Sequence, residues 1–334
     1  MGFVTNISDF GSLAIVGLEK NTGKTECLNY ILGQLGGQAD RFALTSVGID
    51  GESRDQVCQT AKPEIEIPEG MIFVTSEKHY REKRLAAEVL DVSLERTALG
   101  RLITARARMS GKLLLSGPSD TAGLKALIDR LKSRGVGTTI VDGALSRLSL
   151  ASPAVTEAMI LATGATVAGN IPELVRKTKY VYELIGIEEI EEALRTRLDP
   201  LTQGVWAVSG GEPIDLELPS VLMLERSGEN LFRHGRRIYA TGIVTDKLFQ
   251  LLRTQQREVE LIVRDFTRVF ASPEAFYAFL RRGHRIRVVH RSRLLAVTVN
   301  PTAPSGLVLD SRRLCEAMQE ALQIPVYDVK KMPE

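Results

Sequence analysis

Several features that this chain lacks narrow the range of functions. It has 334 residues and three cysteines, Cys27, Cys58 and Cys315, which stand far apart without a C-x-x-C pair. This pattern argues against a disulfide scaffold or a zinc cluster, and it is typical of a reducing compartment. No apolar run approaches the roughly 20 residues that span a bilayer. The first residues also lack the order of a signal peptide. We therefore expect a cytoplasmic protein with no membrane partner.

An excess of one charge is also missing. The chain has 43 Lys and Arg against 41 Asp and Glu, a net charge of +2. No global field therefore draws it to nucleic acid or to a membrane surface. The densest basic stretch, RRGHRIRVVHRSR (281–293), has no aromatic residue on which a base can stack. Its alternation predicts that Arg285 and Arg287 lie on the exposed face of a strand, and we expect no nucleic-acid partner.

What is present is an alternation of short apolar runs with amphipathic segments. Runs in which nearly every position is apolar predict strands that are buried on both faces, as in a parallel sheet. The predicted strands cover 12–17, 42–48, 71–76, 112–117, 137–143 and 165–170. The segment TAGLKALIDRLKSRG (121–135) predicts a helix, because Leu124, Leu127, Ile128 and Leu131 form one stripe. The fold class is therefore α/β with a parallel sheet.

Two further predictions concern the organisation of the chain. The length suggests about two domains, and we place the first at 1–200 and a smaller α/β accessory domain at 205–334, joined by LTQG. Residues 78–110 are rich in charged and small apolar residues and predict a long helical excursion. That helix is either a plain exposed helix or a surface on which a partner docks.

The chemistry is concentrated where the first predicted strand ends, in LAIVGLEKNTGKTE (13–26). Phosphate binding needs backbone N–H groups that point into one concavity, at the start of a helix. It also needs a lysine for the outer phosphates and a hydroxyl for Mg²⁺. The candidate nucleotide-binding residues are Gly17, Lys20, Asn21, Thr22, Gly23, Lys24, Thr25 and Glu26. The alternative is a helix capped by Asn21 or Thr22, with Lys24 in solvent.

A magnesium ion at such a loop usually needs a carboxylate in addition to the Thr25 hydroxyl. Asp142 ends the apolar run TTIVD, and Asp50 lies in the loop after the second predicted strand, where it is a candidate to hold metal or orient water. Glu52 in the same loop is a further candidate, as a general base. The alternatives are that Asp142 is the N-cap of the next helix and that Asp50-Gly51-Glu52 simply makes a turn. The candidate catalytic residues are thus Lys24, Asp50 and Asp142, and the candidate metal ligands are Thr25, Asp50 and Asp142.

Five residues, not the usual four, separate Gly17 from Gly23. This spacing resembles that of dethiobiotin synthetase and the cobyrinic acid synthetases, in the SIMIBI branch of P-loop NTPases. The resemblance implies a P-loop NTPase domain that binds ATP and Mg²⁺. Many members of that branch carry a second lysine five positions before the invariant one. Glu19 occupies that position here and Lys20 follows it, so both a trans-acting role and a solvated position stay open for Lys20.

Five longer segments resemble a narrower family: GLEKNTGKTE, DGALSRLSLASP, ILATGA, VNPTAPSG and IPVYDV. They look like the small subunit of the factor that reactivates lysine 5,6-aminomutase. The resemblance implies an ATPase that works with a MutS-like partner subunit on a B12-dependent mutase. It carries over to Gly17, to residues 23–25 and to Asp142, and it assigns no role to Asn300.

Two other functions stay open at this point: an ATP-dependent synthetase of the dethiobiotin-synthetase type, and a nucleotide-dependent clamp with little turnover. The sequence does not fix the base of the nucleotide. No N-K-x-D element stands in a suitable place to argue for guanine, so ATP is expected and GTP is not excluded.

Overall fold

The computed structural model describes residues 3–47, 65–144, 152, 155–221 and 231–332. The chain folds into two compact units, and each is described by itself. The first unit consists of Met1–Lys179 and Arg293–Glu334, and the second of Tyr180–Ser292. No helix within the described ranges is both long enough and apolar enough to cross a bilayer.

The strands and helices follow in chain order. The strands are β1 (Ser12–Gly17), β2 (Phe42–Ser46), β3 (Ile65–Ile67), β4 (Ile72–Ser76), β5 (Ala87–Thr97), β6 (Gly100–Ala107), β7 (Gly111–Leu113), β8 (Thr138–Ala144), β9 (Ala158–Gly164), β10 (Val205–Ser209), β11 (Glu212–Leu218), β12 (Arg237–Ala240), β13 (Val244–Thr245), β14 (Glu260–Val263), β15 (Val269–Phe270), β16 (Arg285–Val288), β17 (Arg293–Asn300) and β18 (Val326–Tyr327). The α-helices are α1 (Lys24–Gln34), α2 (Glu77–Glu82), α3 (Thr121–Ser133), α4 (Ile171–Ile185), α5 (Glu192–Leu198), α6 (Asp246–Arg253), α7 (Pro273–Arg281) and α8 (Ser311–Leu322).

The first unit is built on a nine-stranded, mostly parallel sheet, so the predicted α/β class with a parallel sheet is confirmed. The strand order is β18-β17-β9-β1-β8-β2-β4-β6-β5, and β6 runs antiparallel to both of its neighbours, β4 and β5. All six residues of β1 and all five of β2 are buried, which is the reason for their uninterrupted apolar runs. Because β1 lies between β8 and β9, the loop that follows β1 lies at the middle of the sheet.

The amphipathic stripe of α3 is confirmed. Its four members, Leu124, Leu127, Ile128 and Leu131, are all buried. Asp120 begins the helix, since its carboxylate accepts a hydrogen bond of 2.8 Å from the Gly123 N–H. The apolar stripe and the Asp120 cap therefore both support this helix.

The prediction of a long helix over residues 78–110 was wrong. Within that range only the residues of α2 are helical, and β5 and β6 then form an antiparallel hairpin that extends the sheet from β4. The alternation of charged and apolar residues suits both structures. Pairing of β6 with β4, which buries Leu102 and Ile103, decides in favour of strands.

Two further strand predictions were wrong in position. Of residues 112–117, only the first two are in a strand, β7, and this strand pairs antiparallel with β3 outside the large sheet. In place of the strand predicted at 165–170, the strand is β9, which lies earlier in the same apolar stretch. After β9 the chain turns, with the Val167 N–H bonded to Gly164 O, and Asn170 accepts a hydrogen bond from the Glu173 N–H at the start of α4.

The compact units differ from the predicted domain boundaries of 1–200 and 205–334. β17 and β18, which fall in the predicted second domain, are strands of the large sheet, where β17 pairs with β9. The second unit is therefore inserted in sequence between Lys179, which lies within α4, and the start of β17. It contains a five-stranded sheet of order β11-β10-β12-β14-β16, in which β12, β14 and β16 are parallel. Arg285 on β16 is exposed, as predicted, and pairs with Glu258 at 2.7 Å.

The close approach of Gly117 to β2 gives a test of this packing. A Cβ at Gly117 would lie 1.7 Å from the carbonyl oxygen of Ser46. We expect Gly117→Ala to lower the free energy of unfolding by about 1–3 kcal/mol, because the backbone of Ser46 cannot give way. Urea unfolding followed by circular dichroism measures this change.

Gly33→Ala is the matched control, since Gly33 lies on α1 and a Cβ there would have no atom within 4 Å. That variant should be neutral or more stable by up to about 1 kcal/mol. Equal losses in the two variants would contradict the packing described at Gly117.

Candidate functional site

The segment between β1 and α1, which we call the glycine loop (residues 17–25), has an unusual backbone. Asn21 has φ 60° and Gly23 has φ 87°, so two of the three residues 21–23 have a left-handed backbone conformation. Gly23 is the N-cap of α1 and no side chain caps that helix, so neither Asn21 nor Thr22 does. Where right-handed and left-handed backbone conformations alternate, successive N–H groups point into one concavity. The first turn of α1 adds N–H groups and the positive end of the helix dipole.

Gly17 lies beneath this turn, and no larger residue fits there. A Cβ at Gly17 would lie 2.4 Å from Thr22 Oγ1 and 2.9 Å from Lys24 Cγ. The Thr22 hydroxyl is itself held, because it donates a hydrogen bond of 3.0 Å to Glu19 O. The side chain of Lys24 thus runs back across the end of β1 instead of out into solvent.

Lys24 and Thr25 carry the polar groups that point to a ligand. Among the residues that the structure describes, the Lys24 ammonium has no ion pair or hydrogen bond, and the Thr25 hydroxyl has no hydrogen bond. Both residues are partly buried. The neighbouring Glu26, in contrast, pairs with Lys330 at 3.2 Å. Lys20 is exposed.

Asp142 lies beside the glycine loop, on the strand next to β1. It is paired with Ile15 in the register of β1 and β8, and its backbone oxygen accepts a hydrogen bond of 3.2 Å from Ser46 Oγ. Burial raises the pKa of the Cys27 thiol in α1 to about 12, a hydrogen bond with Thr298 opposes this rise, and the negative charge of Asp142 adds to it. Its pairing with Ile15 places Asp142 on the neighbouring strand, level with a residue two positions before the end of β1.

The other predicted acidic residues, Asp50 and Glu52, lie outside the described residues. The roles suggested for them from the sequence stay predictions.

Asn300 is a site residue to which the sequence pattern assigns no role. It ends β17, and its side-chain amide donates a hydrogen bond of 3.2 Å to Asn21 O. Its Cβ packs where a side chain on Gly23 would have to go, 2.9 Å from the Cβ position. Its backbone oxygen also accepts a hydrogen bond of 2.9 Å from the Ala165 N–H. Asn300 thus fixes the left-handed part of the loop from the neighbouring side of the sheet.

A small pocket opens between the glycine loop and the C-terminal segment. Its walls come from the start of α1, from the end of β17 and from the turn after β18. The lining residues are Thr22, Gly23, Glu26, Thr298, Val299, Asn300, Asp328, Val329 and Lys330. The pocket adjoins the glycine loop, and its enclosed space is about that of one water molecule.

The oxygen groups present fit Mg²⁺ bound together with a polyphosphate. Within the described ranges, no group of three or more His, Cys, Asp or Glu side chains could hold a metal by itself. Mg²⁺ usually keeps several waters and binds through one or two carboxylates and the phosphates of the ligand. One hydroxyl, from Thr25, and one carboxylate, from Asp142, match that requirement.

Comparisons with known proteins add no family. A scan against protein-family models, a search of curated proteins and a search of solved structures each gave no significant match. The function therefore has to be inferred from the residues of the site.

Asn300 allows a direct test of how the loop is held. Asn300→Ala removes the hydrogen bond to Asn21 O, which contributes about 1 kcal/mol. We expect amide hydrogen exchange of a peptide that covers residues 17–25 to become about fivefold faster, because the loop opens more often. Asn6→Ala, at an exposed position, should leave that exchange unchanged. Unaltered exchange in Asn300→Ala would show that the loop does not need this contact.

Proposed function

We propose that this chain is a P-loop NTPase that binds ATP with Mg²⁺ in the glycine loop and hydrolyses it while acting on a partner protein. One observation carries the proposal. The Lys24 ammonium and the Thr25 hydroxyl lie at the uncapped start of α1, and neither has a partner among the described residues.

The argument from Lys24 is electrostatic. A partly buried cation normally has a carboxylate or other acceptor beside it, because loss of hydration is otherwise uncompensated. Lys24 instead stands at the N-terminal end of α1, where the free N–H groups and the positive end of the helix dipole also favour an anion. Cations and N–H donors that converge on one concavity are complementary to the β- and γ-phosphates of a nucleotide.

Asp142 and Thr25 are the residues that would hold the metal ion. When bound, Mg²⁺ would neutralise negative charge on the phosphate groups. The chain itself contributes positioning: Gly17 lets Lys24 reach across the loop, and Asn300 keeps Asn21 in its left-handed conformation. Preorganised donors of this kind stabilise the charge that develops on the phosphoryl group without further rearrangement.

The choice of ATP, and of a protein as the target, rests on the resemblance to SIMIBI proteins and to aminomutase reactivases. The resemblance to a reactivase small subunit favours a MutS-like partner subunit and a B12-dependent mutase as the target.

Lys24→Ala is the first test. Removing a charge-assisted hydrogen bond lowers binding by about 1.5–3 kcal/mol, so the Kd for Mg-ATP should rise about 10- to 100-fold. Isothermal titration calorimetry with ATP and Mg²⁺ measures it. Lys125→Ala removes the same charge from an exposed position on α3 and should bind like the parent chain. If Lys24→Ala binds ATP as tightly as the parent, the glycine loop is not the nucleotide site.

Turnover separates the proposed ATPase from the other two functions. We expect the purified chain to release phosphate from ATP slowly, and faster when a B12-dependent aminomutase and its MutS-like subunit are added. Tight ATP binding without phosphate release under both conditions would indicate a clamp. Phosphate release only in the presence of a small carboxylate and an amine would indicate a synthetase.

A further inference from the structure

A second polar cluster lies in the second unit, where the parallel strands β12, β14 and β16 end. We call it the arginine cluster, and its members are Asp199, Tyr239, Arg264, Arg268 and His290. The carboxyl ends of parallel strands are the usual place for ligands in open α/β sheets. The function proposed for the glycine loop makes no use of these residues.

Most of the cluster is internally paired. Arg264 donates to the backbone oxygen of Asp199 at 3.2 Å and to its Oδ1 at 3.0 Å. His290 Nε2 lies 2.7 Å from the same Oδ1. Burial raises the pKa of the Asp199 carboxyl, but the hydrogen bond and charge of His290 and the charge of Arg264 outweigh it and lower the pKa overall. The carboxylate of the cluster is thus already shared by two donors.

Arg268 differs from these residues because part of its guanidinium group lacks a hydrogen-bond partner within the described part of the chain. It ends the 3-10 turn Phe266–Arg268, which is fixed because buried Asp265 accepts a hydrogen bond of 2.9 Å from the Thr267 N–H. Its Nε–H is buried and donates no hydrogen bond to any described residue. Burial raises the pKa of Tyr239, and the charge and hydrogen bond of Arg264 and, to a smaller extent, the charge of Arg268 oppose this rise. Arg268 belongs to the cluster by position, because its turn follows the carboxyl end of β14.

The other polar groups of the arginine cluster make hydrogen bonds of their own, and none of these bonds involves Arg268 Nε. The Tyr239 hydroxyl donates to Leu201 O, and the Asp199 carboxylate faces Arg264 and His290. A buried N–H donor without an acceptor is rare in folded proteins, and it often marks a place where a water or an ion binds. The rest of the Arg268 side chain is only partly buried, so a ligand can approach it.

We propose that the arginine cluster binds an oxyanion, a phosphate or carboxylate group of a small ligand, with Arg268 as its main donor. A guanidinium presents parallel N–H groups that match either anion in a bidentate manner. Close to the cluster along the chain, the exposed apolar side chains Ile243 and Phe270 belong to the segments that carry the paired strands β13 and β15. They offer a surface for the organic part of such a ligand.

The test must separate this site from the glycine loop, which also attracts phosphate. We therefore use the full-length Lys24→Ala variant as the parent and measure its melting temperature in inorganic phosphate, in succinate and in chloride at equal ionic strength. We expect phosphate, succinate or both to raise the melting temperature by about 2 °C over chloride. A response to phosphate alone assigns a phosphate-bearing ligand, and a response to succinate alone assigns a carboxylate-bearing one.

The rise should disappear when Arg268→Gln is added to Lys24→Ala. It should persist with Arg257→Gln, which removes a charge from an exposed position without an ion pair or hydrogen bond to any described residue. If Arg268→Gln lowers folding yield, Arg268→Lys keeps the charge and should still weaken the response, since one amine cannot replace the bidentate pair.

Two results overturn the inference. One is an anion response in the Arg268 variants equal to that of their Lys24→Ala parent. The other is no response to either anion in Lys24→Ala itself, which would leave the glycine loop as the anion site. Both results leave the proposed ATP site untouched, because that site is tested by nucleotide binding with Lys24 present.

Discussion

The candidate site depends on one steric constraint, the lack of space for a side chain at Gly17. Thr22 Oγ1 and the stem of Lys24 occupy the positions next to the missing Cβ. With a side chain at residue 17, the turn that Thr22 closes with Glu19 would open, and Lys24 would move off the end of β1. The concavity, the direction of the lysine and the left-handed residues are therefore parts of one packing arrangement. Gly17 is required because no Cβ fits there, and not because of its own backbone conformation, since the left-handed φ angles are those of Asn21 and Gly23.

A second constraint comes from the far end of the chain. Asn300 contacts Asn21 across 279 positions of sequence, and it can do so because β17 is separated from β1 only by β9. This contact agrees with the assignment of Arg293–Glu334 to the first unit. The strand that holds the loop follows the second unit in sequence, so the loop cannot acquire its final packing from the residues that precede that unit alone.

The parts of the site that are local could be predicted from the sequence. β1 agrees with its apolar run residue for residue, and the turn and the start of α1 lie where the pattern predicts them, because burial on both faces and a glycine-containing turn leave a clear signal. The rule that parallel strands end at one edge predicts Asp142 beside the loop. Asn300 could not be predicted, because its role comes from a partner far away in sequence, and a polar residue at a strand end is common.

The errors in the fold have the same origin. The sequence of the hairpin β5–β6 suits a helix as well as two strands, and pairing with β4 decides between them. The predicted domain boundary lies near residue 200 because the second α/β pattern resumes there without a break. Nothing local to β17 distinguishes a strand of the large sheet from one of the smaller sheet, and only its register with β9 does.

The ion pairs of this chain bear on the role of Lys24. Many basic side chains of this chain are matched: Arg237 contacts Glu191 and Glu260, Arg285 contacts Glu258, and Lys330 contacts Glu26. With nearly equal numbers of acidic and basic residues, such pairing is widely available. Lys24 begins α1, yet it has no acidic partner in the described part of the chain. Because Lys24 is partly buried at the N-terminal end of α1, its ammonium and the helix dipole both favour an anion at this position.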